Sequence, residues 1–283
     1  MCELISSNSC PWRLELMGCI VEKFNPRKAS ALSHKRDERR GDRWGKSVDI
    51  REITFNEVKQ DAIDFGLVTE VAYQAKAGKE ASIYIAKWGN HPILLKAYRI
   101  WTTAQARKSK GFNALERMEM LAAREYDVLL ECFKAGMHVP TPIGRVGNYL
   151  TMRLIGDDGL PAPQLRDVKL ENPEFILDQI LDDYLIMYRD THWVHGDLSG
   201  YNILWWQNTP WIIDVPQAYC VNAWADMKRV KKLLTRDIEN LLADFKSYGI
   251  NRDISSIVEV FLSEYTPSNL QNYDEPIGGE LFE

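Results

Sequence analysis

Apolar residues alternate through the first half of the chain. Val68 to Tyr73, Ser82 to Trp88 and His91 to Tyr98 predict three strands, with a glycine-bearing turn over residues 75–79 and a second turn at Gly89-Asn90. Period-two alternation bounded by turn residues is the mark of a half-buried strand. A mixed helical stretch from Asp49 to Leu67 leads into them. Beyond a polar, basic loop from Arg99 to Gly111, Asn113 to Ala135 reads as one long helix, closed by Gly136 where a left-handed cap belongs. Gly147-Asn148 is a hairpin signal that gives two more strands, Pro142 to Val146 and Tyr149 to Ile155.

The second half changes period. Asn172-Pro173 predicts a helix start with Asn as the cap, and Ile176, Leu177, Ile180, Leu181, Tyr184, Leu185 and Tyr188 then recur at helical spacing. The loop Val194-His195-Gly196-Asp197 follows, and behind it a hairpin of Ile203–Trp206 and Trp211–Val215 about a turn at residues 207–210. Asn222 to about Phe245 and Ile254 to Tyr265 read as helices. In the first, Trp224, Met227, Val230, Leu234, Ile238, Leu241 and Phe245 form an apolar stripe expected in the core. The fold class is α+β with a two-lobed, protein-kinase-like order: a β-rich lobe with one long helix over residues 49–155, then a helical lobe over 156–270. A basic arm (1–48), read as flexible, and an acidic tail (271–283) flank them.

Charge sharpens this picture. The 283 residues carry a net formal charge of -5, yet residues 1–50 hold ten Lys and Arg against seven Asp and Glu, so they stand at +3 and the rest at -8. Generic polyanion binding by the whole molecule is disfavoured, and nucleic-acid contact would use local basic segments. The arm is open to two readings, a solvated tail or a contact to RNA phosphate. The five cysteines form no C-x-x-C pair, which fits free thiols in a reducing, cytoplasmic compartment better than disulfides or zinc. No apolar run approaches the roughly 20 residues that cross a bilayer, so no membrane contact is expected.

Phosphoryl transfer needs metal ions on the phosphates, a cation on the non-transferred phosphates and a carboxylate at the nucleophile. His195-x-Asp197-Leu198-x-x-x-Asn202 has the spacing of a kinase catalytic loop, with Asp197 as base or orienting group and Asn202 on a metal. Asp214, after Trp211-Ile212-Ile213, is placed as a second metal-binding carboxylate for Mg²⁺ or Mn²⁺. Lys96 ends an apolar strand, where an unpaired ammonium is expensive, and Glu125 on the long helix is its candidate partner; the bland alternative leaves Glu125 on the solvent face with Glu116 and Glu119. The loop Gly78-Lys79-Glu80-Ala81-Ser82 has one glycine where a typical kinase has three, but amides around Gly78 and the Ser82 hydroxyl are candidate phosphate donors.

These residues resemble the RIO family of atypical serine/threonine kinases, nearest its type-one branch. The resemblance covers about Val68 to Tyr265 and rests on Gly78-Lys79-Glu80-Ala81-Ser82-Ile83-Tyr84, Ile155-Gly156 with Leu160-Pro161-Ala162-Pro163, Val194 to Asn202, and Ile213-Asp214-Val215-Pro216-Gln217. It implies ATP bound with Mg²⁺, Lys96 on phosphate with Glu125 as partner, Met152 to Ile155 as the adenine-binding hinge, Asp197 as catalytic Asp, and Asn202 and Asp214 on metal. It further implies that Asp214 itself accepts phosphate, in an ATPase switch serving small-ribosomal-subunit maturation, with pre-ribosomal RNA or protein as partner. Arg107, Lys108 and Lys110 lie where the family has a flexible loop, with Ser109 a candidate phosphorylation site. Only about ten residues separate Asp214 from the next helix, there is no Ala-Pro-Glu, and Gly196 follows His195 where kinases have Arg, so neither a long activation loop nor a peptide platform is expected. The rivals are a small-molecule kinase of the aminoglycoside-phosphotransferase type and a non-enzymatic RNA-binding scaffold.

Overall fold

The computed structural model describes residues 54–78, 80–99 and 114–270. The arm over 1–48, Lys79, the loop bearing Arg107, Lys108, Ser109 and Lys110, and the tail over 271–283 lie outside the described residues. The chain divides into two compact units, Met1–Ala123 with Pro142–Arg153, and Arg124–Thr141 with Leu154–Glu283.

In the first unit, helix α1 (Phe55–Asp64) starts at Thr54, whose hydroxyl accepts the Glu57 amide at 3.3 Å while the Glu57 carboxylate accepts the Thr54 amide at 2.8 Å. This reciprocal cap satisfies two amides that the helix leaves open. Five strands follow as an antiparallel sheet: β1 (Glu70–Ala77), β2 (Ala81–Trp88), β3 (His91–Tyr98), β4 (Pro142–Val146) and β5 (Tyr149–Arg153), in the order β1-β2-β3-β5-β4. One face carries Tyr84, Ala86, Leu95, Ala97 and Tyr149 into a core with Val58 and Ala62 of α1. The Tyr149 hydroxyl donates to Asp61 at 2.8 Å and ties helix to sheet. The first strand runs four residues beyond the expected Tyr73, because after Val71 it is exposed and its register is bulged, so no burial pattern marks it. The fifth ends at Arg153, two residues short of the expected Ile155.

Helix α2 (Ala114–Lys134) matches its expected span among the described residues, and Gly136 beyond it takes φ +92°. Met118 and Ala122 pack against Ala81 and Tyr98, on the side of the sheet away from α1.

The second unit is built on α3 (Pro173–Thr191), α4 (Met227–Phe245) and α5 (Ile254–Glu264). Tyr184 and Tyr188 of α3 lie 5.2 and 5.8 Å from Phe261 of α5, ring centre to ring centre. Asn172 does sit at the start of α3 with Pro173 in the first turn, but its side chain makes no capping bond. Short ladders join β6 (Gly156–Asp157) to β7 (Leu160–Pro161) and β8 (Trp193–Val194) to β11 (Tyr219–Cys220).

The hairpin is tighter than expected. It pairs β9 (Ile203–Trp206) with β10 (Thr209–Ile212) about two residues, Gln207 and Asn208, at φ +50° and +56°. Two consecutive left-handed residues make the turn whose twist suits a hairpin, and Asn favours that conformation. Pro210 is accommodated opposite Trp205, whose amide bonds outward to the Pro163 carbonyl at 2.9 Å. That pair exchanges no ladder bond, so the missing proline N–H costs nothing.

The largest departure is at α4, which begins at Met227, five residues after the expected Asn222. Asp226 caps it, accepting the amides of Lys228 and Arg229 at 3.0 and 3.3 Å. Trp224 therefore falls in the turn before the helix and is 92% exposed, not core. The rest of the stripe, Met227 to Phe245, is buried as expected. Leu234→Ala is expected to lower stability by about 3 kcal/mol and Trp224→Ala by less than about 0.5 kcal/mol in urea unfolding. The Cys132 thiol is buried and pushed up to about 12. It stays protonated at pH 8, so peptide mapping after iodoacetamide treatment of the native protein is expected to find it unmodified.

Candidate functional site

Asp237 of α4 organises the loop that carries Asp197. Its side chain is fully buried, and its oxygens accept the Gly196 amide at 2.7 Å, the Leu198 amide at 3.3 Å and the Tyr184 hydroxyl at 2.7 Å. Burial holds this carboxyl above the ordinary carboxylate value, with the three donors pulling the other way. One turn pair further along α4, Asp244 accepts the Gly200 amide at 2.7 Å. A Cβ on Gly196, at φ +81°, would stand 2.9 Å from the Gln217 carbonyl, so that glycine is required by conformation and close approach; one on Gly200 would stand 2.8 Å from the Asp244 carboxylate, which would have to shift.

On this frame the loop turns inside out. His195 is buried; its Nε2–H donates to the Ile213 carbonyl at 3.1 Å, and its Nδ1 accepts the Asp197 amide at 3.2 Å. Those two bonds fix the neutral ring with its proton on Nε2. Asp197 itself is exposed. Asn202 donates through Nδ2 to the Asp197 carbonyl at 2.8 Å and to its carboxylate at 3.4 Å. With the amide nitrogen so used, the Asn202 Oδ1 remains for a metal ion.

The Ile213 amide donates to the Asn202 carbonyl at 2.9 Å. Ile213 is thus bound on one side to Asn202 and on the other to His195, and the next residue, Asp214, is exposed at φ +65°. Asp is among the few residues that take this conformation readily. The second unit therefore brings Asp197, Asn202 and Asp214 together. Among the described residues no three His, Cys, Asp or Glu side chains are grouped to hold a metal. One carboxylate and one amide oxygen still fit Mg²⁺, which takes its other ligands from water and substrate phosphates.

Ile155 lies in this unit too, buried, its carbonyl accepting the Ala162 amide at 2.8 Å. A Cβ on Gly156 would meet the Leu160 carbonyl at 2.0 Å. The Pro161-Ala162-Pro163 stretch thus joins Ile155 to the hairpin: Ala162 supplies the donor to Ile155 and Pro163 the acceptor for Trp205. Glu125 is 1% exposed, unlike the half-buried Glu116 and Glu119.

In the first unit, Lys96 is 8% exposed, with Nζ 5.2 Å from the centre of the Tyr98 ring. It pairs across the sheet with Ile83 and Leu150, so it shares its face with them and with Met152, which stands opposite Leu94. Ser82 pairs with Ala97 and lies on the other face, buried, with Gln74 Nε2 at 3.5 Å from its hydroxyl. Strand alternation removes Ser82 from the phosphate-binding set. The Gly78 amide donates to the Ala81 carbonyl at 2.9 Å, and a Cβ on Gly78 would stand 2.6 Å from that oxygen. The turn admits only glycine there, an open backbone of the kind that phosphates approach. Lys79 lies outside the described residues.

Asp237 and Asp244 were not singled out in the sequence. The signal was present: both fall at apolar-stripe positions, seven residues apart, where a carboxylate implies a buried donor.

The fold is that of the two-lobed kinases: a crystal structure of the Rio2 kinase–ADP/Mg²⁺–phosphoaspartate complex from Chaetomium thermophilum matches with a TM-score of 0.52 at 17% identity, over 78% of this chain and 80% of that one. The RIO domain model matches residues 73–263, and the chain belongs to the RIO family. It is 38% identical over 136 residues to the RIO-type kinase Rio1 of Thermoplasma acidophilum, covering 48% of this chain and 69% of that protein. It is 29% identical over 188 residues to the serine/threonine-protein kinase RIO1 of Caenorhabditis elegans, covering 61% of this chain and 36% of that one. The chain thus spans little more than a third of one relative and about two thirds of the other.

Asp237→Asn removes an acceptor from buried donors. It is expected to lower stability by about 3 kcal/mol in urea unfolding and to speed hydrogen exchange at the Gly196 and Leu198 amides at least tenfold.

Proposed function

We propose that the chain is an ATP- and Mg²⁺-dependent phosphotransferase of the atypical serine/threonine kinase type, phosphorylating itself on Ser or Asp or hydrolysing ATP. The observation that carries the reading is the loop in which Asp197 and Asn202 are bonded to each other and Asp214 is held one residue from their shared anchor, Ile213. The backbone is buried and clamped while both carboxylates are exposed. Burying the frame and exposing the carboxylates is what preorganised electrostatic catalysis requires.

In this reading Asp197 orients the acceptor and takes the proton where that acceptor is a Ser hydroxyl or water, an Asp214 carboxylate having none to give, and Asn202 and Asp214 hold the metal. A Mg²⁺ ion held by Asn202 and Asp214 would supply the charge that neutralises the phosphate oxygens. Lys96 holds the non-transferred phosphates, and buried Glu125 is the carboxylate kept for its charge. Gly78 supplies backbone to the phosphates, and Met152 and Ile155 flank the adenine. Twelve residues lie between Asp214 and Met227, two of them paired as β11, which supports the expectation of no long activation segment. A small acceptor surface of this kind favours self-phosphorylation, with Asp214 as phosphoacceptor; the Rio2 structure named above contains phosphoaspartate. Membership of the family supports a role in small-ribosomal-subunit maturation, with pre-ribosomal RNA or protein as partner, and cysteines without a C-x-x-C pair support a reducing, cytoplasmic compartment. Among the described residues no helix is long and apolar enough to cross a membrane.

With ³²P-labelled ATP, Mg²⁺ and no added substrate, slow hydrolysis is expected, reduced at least tenfold in Lys96→Ala and Asp197→Asn. A hydroxylamine-labile label is expected on the protein and absent from Asp214→Asn. Hydrolysis unchanged in Asp197→Asn would overturn the reading, and label recovered only as phosphoserine would remove Asp214 as acceptor.

A further inference from the structure

The first half of α4 is charged against its own helix. Residues 227–236 hold five cations, Lys228, Arg229, Lys231, Lys232 and Arg236, and no carboxylate. All five are exposed: Lys228, Arg229, Lys232 and Arg236 on the side of the helix away from buried Val230, Leu234 and Ile238, and Lys231 on the flank of that buried stripe. A helix carries partial positive charge at its N-terminal end, so cations there are disfavoured and anions favoured. Asp226, the carboxylate at that end, is used by the cap, and the first carboxylate on the exposed face is Glu239, beyond the cluster. Among the described residues only Arg236 of the five has an ion-pair contact, a long one of 3.9 Å to Asp237. Lys228 and Arg229, in the first turn, stand against the helix dipole, and five exposed cations on one stretch of a chain of net charge -5 favour an anionic partner over a contribution to folding.

Trp224 narrows the class of anion. It stands two residues before the cap, 92% exposed, on a turn closed by the Trp224 amide on the Asn222 side chain at 2.9 Å and the Ala225 amide on the Asn222 carbonyl at 2.9 Å. The flank of the turn is also aromatic, with the Arg229 guanidinium 4.6 Å over the ring of Tyr219. A large ring held in water by a fixed turn is suited to stacking. Cations spread over about 12 Å of helix, with a stacking platform at one end, match an unpaired strand: phosphates for the cations and a base for the ring. A duplex keeps its bases in its own stack, and an acidic peptide offers Trp224 a ring only where it happens to carry an aromatic residue, whereas every nucleotide of a single strand offers one.

We propose that the exposed face of α4 over residues 228–236, with Trp224, is a binding surface for single-stranded nucleic acid. The proposal deepens the RNA-partner part of the function above and is independent of its phosphotransfer part.

The test is fluorescence anisotropy of a labelled 20-nucleotide oligouridylate with the full chain from 50 to 300 mM KCl. Contact with three phosphates gives a log–log salt slope of about -2. The double variant Lys231→Glu/Lys232→Glu is expected to weaken binding at least tenfold and flatten the slope by about 1.4. Trp224→Ala is expected to weaken it about tenfold with the slope unchanged, since stacking releases no counterions. ATP affinity of all variants should stay within about twofold of the parent, which separates this proposal from the phosphotransfer reading. Three results overturn it: variants that bind oligouridylate as the parent does, a 20-base-pair RNA duplex that competes fully with the single strand, or no RNA binding while vesicles with 30% phosphatidylserine are bound.

Discussion

The site depends on one buried carboxylate. Asp237 reaches from α4 into the loop before Asp197 and takes two backbone amides and a tyrosine hydroxyl. A loop has no ladder of its own to satisfy its amides, and buried amides without acceptors are costly. The carboxylate gives them an acceptor, and in doing so sets the path of residues 196–198. Burial opposes its charge, as the raised pKa indicates, so this anchor is not an addition to stability in the way a core leucine is. Its benefit is position.

From that anchor, hydrogen bonds run outward to groups in water. Gly196 is held by Asp237, the His195 ring bridges the Asp197 amide and the Ile213 carbonyl, and Ile213 in turn holds Asn202. Asp237, Gly196 and His195 are buried, Ile213 and Asn202 are half-buried, and Asp197 and Asp214 at the ends are exposed. The tight hairpin contributes by fixing the spacing between Asn202 and Ile213, and the Pro-Ala-Pro stretch fastens its outer edge to Ile155. Among the described residues there is no protein-made metal cage, and in the proposed function metal ions and phosphates would bring the remaining charge.

Much of this was legible in the residues. Alternation found β2 and β3 to within a residue, and helical spacing with a glycine stop found α2, because each of those elements buries one face. The order His195, Asp197, Asn202, Asp214 picked out residues that the second unit links through hydrogen bonds, and their assignment as a site remains the proposal. Legibility ended where burial and periodicity part. The exposed β1 hid its own length, and Trp224 extended an apolar stripe that the chain breaks at Asp226 with a capping carboxylate. Ser82, adjacent in sequence to the phosphate turn, is turned away by the two-residue period of the strand. Asp237 and Asp244 were hidden because an acidic residue on a helix is ordinarily read as solvated, and the partner that makes it otherwise is a loop some forty residues earlier.

The central claim is that Asn202 and Asp214 together make a site for a divalent cation that is completed by nucleotide phosphates. Calorimetric titration of ATP into the protein, with Mg²⁺ and with the metal chelated, tests it most directly. The account predicts binding at least tenfold tighter with Mg²⁺, and loss of that difference in Asn202→Ala and Asp214→Ala with metal-free affinity retained. Equal ATP affinity with and without Mg²⁺ in the parent protein would contradict it.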